Sequence, residues 1–217
     1  MKNIYTNIAL FLAFICSLHV AGQDSTHKVD FFNEFVVGLN KTTRPSNDFD
    51  QSLGFGVGAY RVINNQEIVN LVFGFEYNLN RQFYDEFSEG RYAHGWNMQY
   101  TVQSATIPLY MRCNIGKNLK AFVEFGFYAD IVFNSKRKGT IHTWPPNGGP
   151  TKELAVNESA QLSNFNYGLY GGVGMRIPMK NKDLIIKSDY RYGLQDLSQS
   201  YGSFYMRDIR FSVGLNI

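Results

Sequence analysis

Residues 208–217, Asp-Ile-Arg-Phe-Ser-Val-Gly-Leu-Asn-Ile, alternate without a break. Ile209, Phe211, Val213, Leu215 and Ile217 take one set of positions, and Asp208, Arg210, Ser212, Gly214 and Asn216 take the other. Only an extended chain, whose successive side chains point to opposite faces, sorts residues in this way. The segment therefore predicts a strand with one apolar and one polar face.

Seven further segments carry the same period. Over 121–133, Ala121, Val123, Phe125, Phe127, Ala129, Ile131 and Phe133 oppose Phe122, Glu124, Gly126, Tyr128 and Asp130, a strand longer than most globular ones. Over 69–80, Val69, Leu71, Phe73, Phe75, Tyr77 and Leu79 oppose Asn70, Gly74, Glu76, Asn78 and Asn80. The others are 35–39, 53–59 with glycine at 54, 56 and 58, 105–112, 165–176 and the less regular 184–194. After the first residues no segment shows a helical period, and 14 Tyr and 18 Phe beside only 6 Pro suit strands.

The links between strands alternate in length. Asn64-Asn65-Gln66, Gly116-Lys117-Asn118 and Asn181-Lys182-Asp183 read as tight turns, whereas 41–51, 84–95, 134–160 and 198–203 are longer. Three short and four long links match a transmembrane barrel with short periplasmic turns and longer outer loops. The longest link, 134–160, carries Trp144-Pro145-Pro146-Asn147-Gly148-Gly149-Pro150, which cannot continue a strand and predicts a mobile outer loop.

Alternation alone also fits a soluble, calycin-like ligand-binding barrel turned inside out. The charges separate the two readings. Glu34, Glu76, Glu124, Asp130 and Asp189, with Arg112, Arg176, Lys187, Arg191 and Arg210, share the polar phase with many glycines. Glycine leaves room for long charged side chains in a narrow closed lumen, and a water-facing surface has no such need. The apolar phase holds bulky side chains over about the height of the lipid-facing band. The expectation is an all-β, eight-stranded antiparallel up-and-down barrel in the outer membrane of a Gram-negative cell. Tyr77, Trp96, Tyr100, Tyr190 and Tyr192 are candidates for its interfacial girdles. Since eight strands enclose a space that side chains fill, the inward charges predict a salt-bridged plug and no open pore.

At the start, Lys2, the apolar run 8–18 and Val20-Ala21-Gly22 predict a signal peptide over 1–22, leaving the barrel domain over 23–217. Ile15 before Cys16 argues against a lipoprotein signal, and the one cysteine left, Cys113, excludes an intramolecular disulfide in the mature chain. The net charge of +3, about +2 without Lys2, comes from scattered basic residues and gives no nucleic-acid footprint.

Ala105-Thr106-Ile107-Pro108-Leu109-Tyr110-Met111-Arg112, with its apolar-Pro-Leu core, resembles a strand of the PorT-like outer-membrane β-barrel family typical of Bacteroidetes. Residues 121–128, Tyr167-Gly168-Leu169-Tyr170-Gly171-Gly172-Val173-Gly174, Tyr190-Arg191-Tyr192-Gly193-Leu194 and Val213-Gly214-Leu215 extend the resemblance. A proline in a strand marks a bulge or an unpaired position, which is the expectation at Pro108, and the resemblance suggests that such a bulge is shared. The resemblance implies location and architecture but no activity. The histidines His27, His94 and His142 lack metal-site spacing and read as surface residues. The glycine-rich 168–174 lies in a strand with no helix after it, so it is no phosphate loop. The expected role is structural or partner-binding, through an envelope protein or extracellular ligand at the loops. The expected barrel is monomeric and lipid-embedded, with no catalytic residue, metal or cofactor. The competing reading, an outer-membrane lipid-modifying enzyme, would set His94 or His142 beside Ser88 or Ser159.

Overall fold

In the computed structural model the residues described are 31–42, 53–63, 68–88, 91–116, 120–145, 147, 149–180, 182–198 and 203–217. The expected signal peptide with Cys16 and His27, the links over 43–52 and 64–67, and parts of five other links lie outside them.

Among the described residues nine strands form: β1 (Glu34–Thr42), β2 (Leu53–Ile63), β3 (Val69–Ser88), β4 (Ala93–Ile115), β5 (Lys120–Thr143), β6 (Lys152–Ser159), β7 (Phe165–Pro178), β8 (Asp183–Gly193) and β9 (Arg207–Asn216). All but β6 form a closed antiparallel cylinder, in which each strand pairs with its neighbours along the chain and β1 pairs with β9. The seam runs from Glu34↔Asn216 to Thr42↔Asp208. Closure is what lipid demands, because a backbone group at an open edge would find no hydrogen-bond partner in the hydrocarbon.

The faces sort as the alternation predicts. Phe127 is 65% and Phe211 63% exposed, while Glu124 and Arg210 are each 1% exposed. On β5 the outward side chains from Val123 to Phe133 are apolar throughout, and ten residues of strand at about 3.4 Å each and a tilt of about 45° cover an apolar band of about 25 Å. Around its outer limit Tyr77 packs against Phe55 and Phe133 at 5.9 and 6.1 Å, with Tyr190 and Tyr192 half-exposed on β8. The other two girdle candidates do not belong there. Tyr100 is buried, and Trp96 stands seven residues beyond Gln103 along β4, on the order of 20 Å further out.

The expectation for the outer links is corrected. Strands β3, β4 and β5 run well past the lipid band as a ribbon, and the 134–160 link, expected to be a mobile loop, contains the end of β5 and the additional strand β6 paired back onto it. Above the lipid both faces meet water or protein, so the apolar-polar alternation that reveals a strand below is relaxed. At Pro108 the unpaired position holds and not the bulge: Phe73↔Leu109 and Glu76↔Thr106 keep one register on either side of it, and only the pairing to β3 lapses there. The irregularities lie instead between β4 and β5, at Trp96/Gln99, where Asn97 adopts φ 50°, and at Gln103/Ser104.

The outer end of the cylinder is closed by apolar packing. Tyr84, Met98, Tyr100 and Val132 from the ribbon meet Leu162, Leu197, Phe204 and Met206 from the segments that follow β6 and β8. Phe204 lies 5.0 Å from the Tyr100 ring and 5.8 Å from that of Tyr84. Asp196, beyond the membrane-spanning strands, fixes this cover by accepting backbone hydrogen bonds from Ser198 at 3.0 Å and Phe204 at 2.8 Å. Its slight burial opposes ionisation, but these N–H groups and the Ser203 hydroxyl outweigh it and hold the carboxyl below the usual aspartate value. A depressed folded pKa gives an ordering that is fully present above the unfolded value of about 3.9 and is lost as pH falls through the folded one. Amide exchange at Ser198 and Phe204 should therefore stay slow down to about pH 4 and quicken below it, relative to Asp196→Asn, in which the dependence should vanish.

Candidate functional site

The lumen places every charged residue expected inside it in the interior. Toward the periplasmic end, Arg112 of β4 donates to Glu34 of β1 at 2.6 and 2.8 Å and to Glu124 of β5 at 2.6 Å. Its guanidinium lies 4.4 Å over the Phe122 ring, and Arg176 of β7 stands 3.7 Å from Glu34. Lys187 of β8 reaches Glu124 at 3.4 Å and lies 4.7 Å over the Tyr60 ring.

Midway, Glu76 of β3 is the hub. It accepts from Arg210 at 2.7 Å, from Tyr60 at 2.6 Å, from Asn78 at 3.1 Å and from Arg191. Asp189 takes Arg210 on its other side at 3.1 Å. Further out the network turns from ion pairs to neutral donors: Asp130 accepts from Thr106 at 2.5 Å and Asn166 at 2.9 Å, and Asn40 donates to Asn80 at 2.9 Å.

Glycine makes this density possible. Gly126 sits on one rung between Tyr110 and Tyr170, whose rings stack over it at 4.6 Å and 14°. A methyl group on Gly126 would come within 2.6 Å of Tyr110 Cβ.

One interior charge is absent from the expected set. Asp208 is buried as well, so among the described residues the lumen holds six acids, with Glu34, Glu76, Glu124, Asp130 and Asp189, against the five expected bases. Its position in the polar phase of 208–217 was signal enough to find it.

Among the catalytic pairings entertained for an enzyme, the strand register keeps Ser159 far from His142 and sets Ser88 on the rung of His94. Ser159 pairs with Lys136, whereas His142 pairs with Glu153 six residues along β6, on the order of 20 Å away. Ser88 is in register with His94, but its side chain lies outside the described residues. The Nδ1 atoms of His94 and His142 face Glu86 at 3.0 Å and Glu153 at 3.6 Å. What sequence reasoning missed is that His94 and His142, 48 residues apart, share one rung of β4 and β5.

A closed sheet with an apolar outer wall and a polar packed interior is the architecture of an outer-membrane β-barrel protein. The chain belongs to the family described as outer membrane protein beta-barrel domain, whose model matches residues 24–199. It resides in the outer membrane, surrounded by lipid. Among solved structures it is similar to Ail, the attachment invasion locus protein of Yersinia pestis, at 14% identity over 85% of this chain and 97% of that one, with a TM-score of 0.34. It is also similar to Neisserial surface protein A, at 13% identity over 85% and 92%, with a TM-score of 0.41. A third is the outer membrane enzyme PagL, at 11% identity over 85% and 98%, with a TM-score of 0.34. No curated protein matches the chain.

Proposed function

We propose that this chain is a closed, non-conducting and non-enzymatic barrel that holds the β3–β6 ribbon outside the lipid for an envelope protein or extracellular ligand to bind. The observation that carries the reading is the filled lumen. Arg112, Glu76 and Asp130 mark successive levels of bonded polar side chains, and Tyr100, Leu197 and Phe204 cover the outer end with apolar packing. A channel needs a continuous polar path, and ion pairs bridging opposite walls at 2.6 to 2.8 Å leave no width for one. The same reading takes the barrel as a monomer exported by cleavage after Gly22 and working without a cofactor. Closer kinship with the PorT-like barrels is supported by the motifs over 105–112, 167–174 and 190–194.

Reconstituted in planar bilayers, the folded protein should give no stable single-channel steps. Steady currents that persist across preparations, and that change when Arg112 or Arg210 is replaced, would overturn the closed-barrel reading.

A further inference from the structure

Two histidines share a rung at the far end of the ribbon. His94 of β4 and His142 of β5 are directly paired in the ladder, and side chains paired in this way start from Cβ atoms about 4.5–5.5 Å apart on the same face. Each ring turns its Nδ1 to a carboxylate from the strand beyond, His94 to Glu86 of β3 at 3.0 Å and His142 to Glu153 of β6 at 3.6 Å. The hydrogen bond from His94 Nδ1 to Glu86 favours the tautomer that leaves its Nε2 lone pair free. Both side chains remain open to solvent, at 36% and 24% exposure.

The pair is also walled on both sides. Trp144 packs edge-on against His94 at 5.2 Å and 80°, and Trp96 against His142 at 5.9 Å and 66°. They are the two tryptophans of the sequence, both well outside the lipid band, where an interfacial anchor would have no purpose.

We infer that His94 and His142 form a binding site for a divalent transition-metal ion of the imidazole-preferring class, Zn²⁺, Cu²⁺ or Ni²⁺, on the outer ribbon. Two Nε2 atoms on one rung meet a common ion at about 2.0–2.1 Å each, and Glu86 and Glu153 orient the rings from behind. Among the described residues no three His, Cys, Asp or Glu side chains converge as ligands. The site is therefore a two-imidazole one, with water or a group from a bound partner in the remaining positions. This inference does not depend on the closed lumen.

The flanking tryptophans make the test direct. Cu²⁺ added to the mature, untagged protein in detergent should quench tryptophan fluorescence saturably at one equivalent, and Zn²⁺ should compete. His94→Gln and His142→Gln should each weaken the quench about tenfold or more, and Glu86→Gln by about tenfold. His27→Gln should leave it unchanged. Wild-type protein supplies a reading free of folding effects, since Zn²⁺ should protect His94 and His142 together, and not His27, from acylation by diethylpyrocarbonate. A quench indifferent to both histidine substitutions, or acylation of His94 and His142 unaffected by Zn²⁺, would overturn the assignment.

Discussion

Replacing Glu76 with leucine should destabilise the barrel by about 3–5 kcal/mol, the usual cost of removing one partner from a buried ionic cluster. The carboxylate accepts from Arg191, Arg210, Tyr60 and Asn78 at once, and it is only 2% exposed. Its loss leaves two buried guanidiniums with Asp189, 3.1 Å from Arg210 and 3.8 Å from Arg191, and with Asp208 across the rung from Arg191. Salt should not rescue the variant, because mobile ions do not enter a packed interior. Adding Arg191→Met and Arg210→Met to Glu76→Leu should recover much of the loss, since an apolar replacement of matched volume removes the desolvation penalty together with the attraction. Urea titration followed by the gel-migration difference between folded and unfolded barrel measures all three proteins. A single variant as stable as wild type would show that the cluster does not bear on stability.

The second large effect separates two residues that look alike by exposure. Phe127 is 65% exposed and Leu154 is 63% exposed, yet Phe127 lies halfway along the outward row of β5 and Leu154 lies on β6, above the lipid. Phe127→Arg should cost about 2–4 kcal/mol, the penalty for a guanidinium at the bilayer midplane of such barrels. Leu154→Arg, facing water, should change stability by less than about 0.5 kcal/mol. Equal costs in liposome unfolding assays would mean that the lipid band is not where the apolar side chains place it.

The separation of wall from lumen was readable because both follow one period of two. An outward Phe125 and an inward Glu124 are adjacent letters, and each face is uniform over several turns of the pleat. The extensions of β3 and β5 were not readable, since residues such as Lys136, Arg137 and Lys138 leave no apolar row once the strand rises into water. Tyr100 was misplaced for a related reason: an aromatic side chain suits an interfacial belt and an apolar core equally, and only the chain segments folded over the mouth decide between them. The His94 and His142 rung depends on the register of two long strands and on the irregularities at Asn97 and Gln103/Ser104. A shift of one residue would turn one of the two rings to the other face, and nothing in either local sequence states the offset.

The β1–β9 seam has a consequence for how the protein is made. Its pairing of Glu34 with Asn216 joins positions near opposite limits of the sequence, whereas the remaining barrel seams join strands consecutive around the cylinder and along the chain. Such a contact carries the largest loop-closure entropy in the fold and forms late. Translation must have delivered β9 before the cylinder can seal, so the nascent chain has to be kept from aggregating in transit, and membrane insertion finishes with a zipper between its first and last strands.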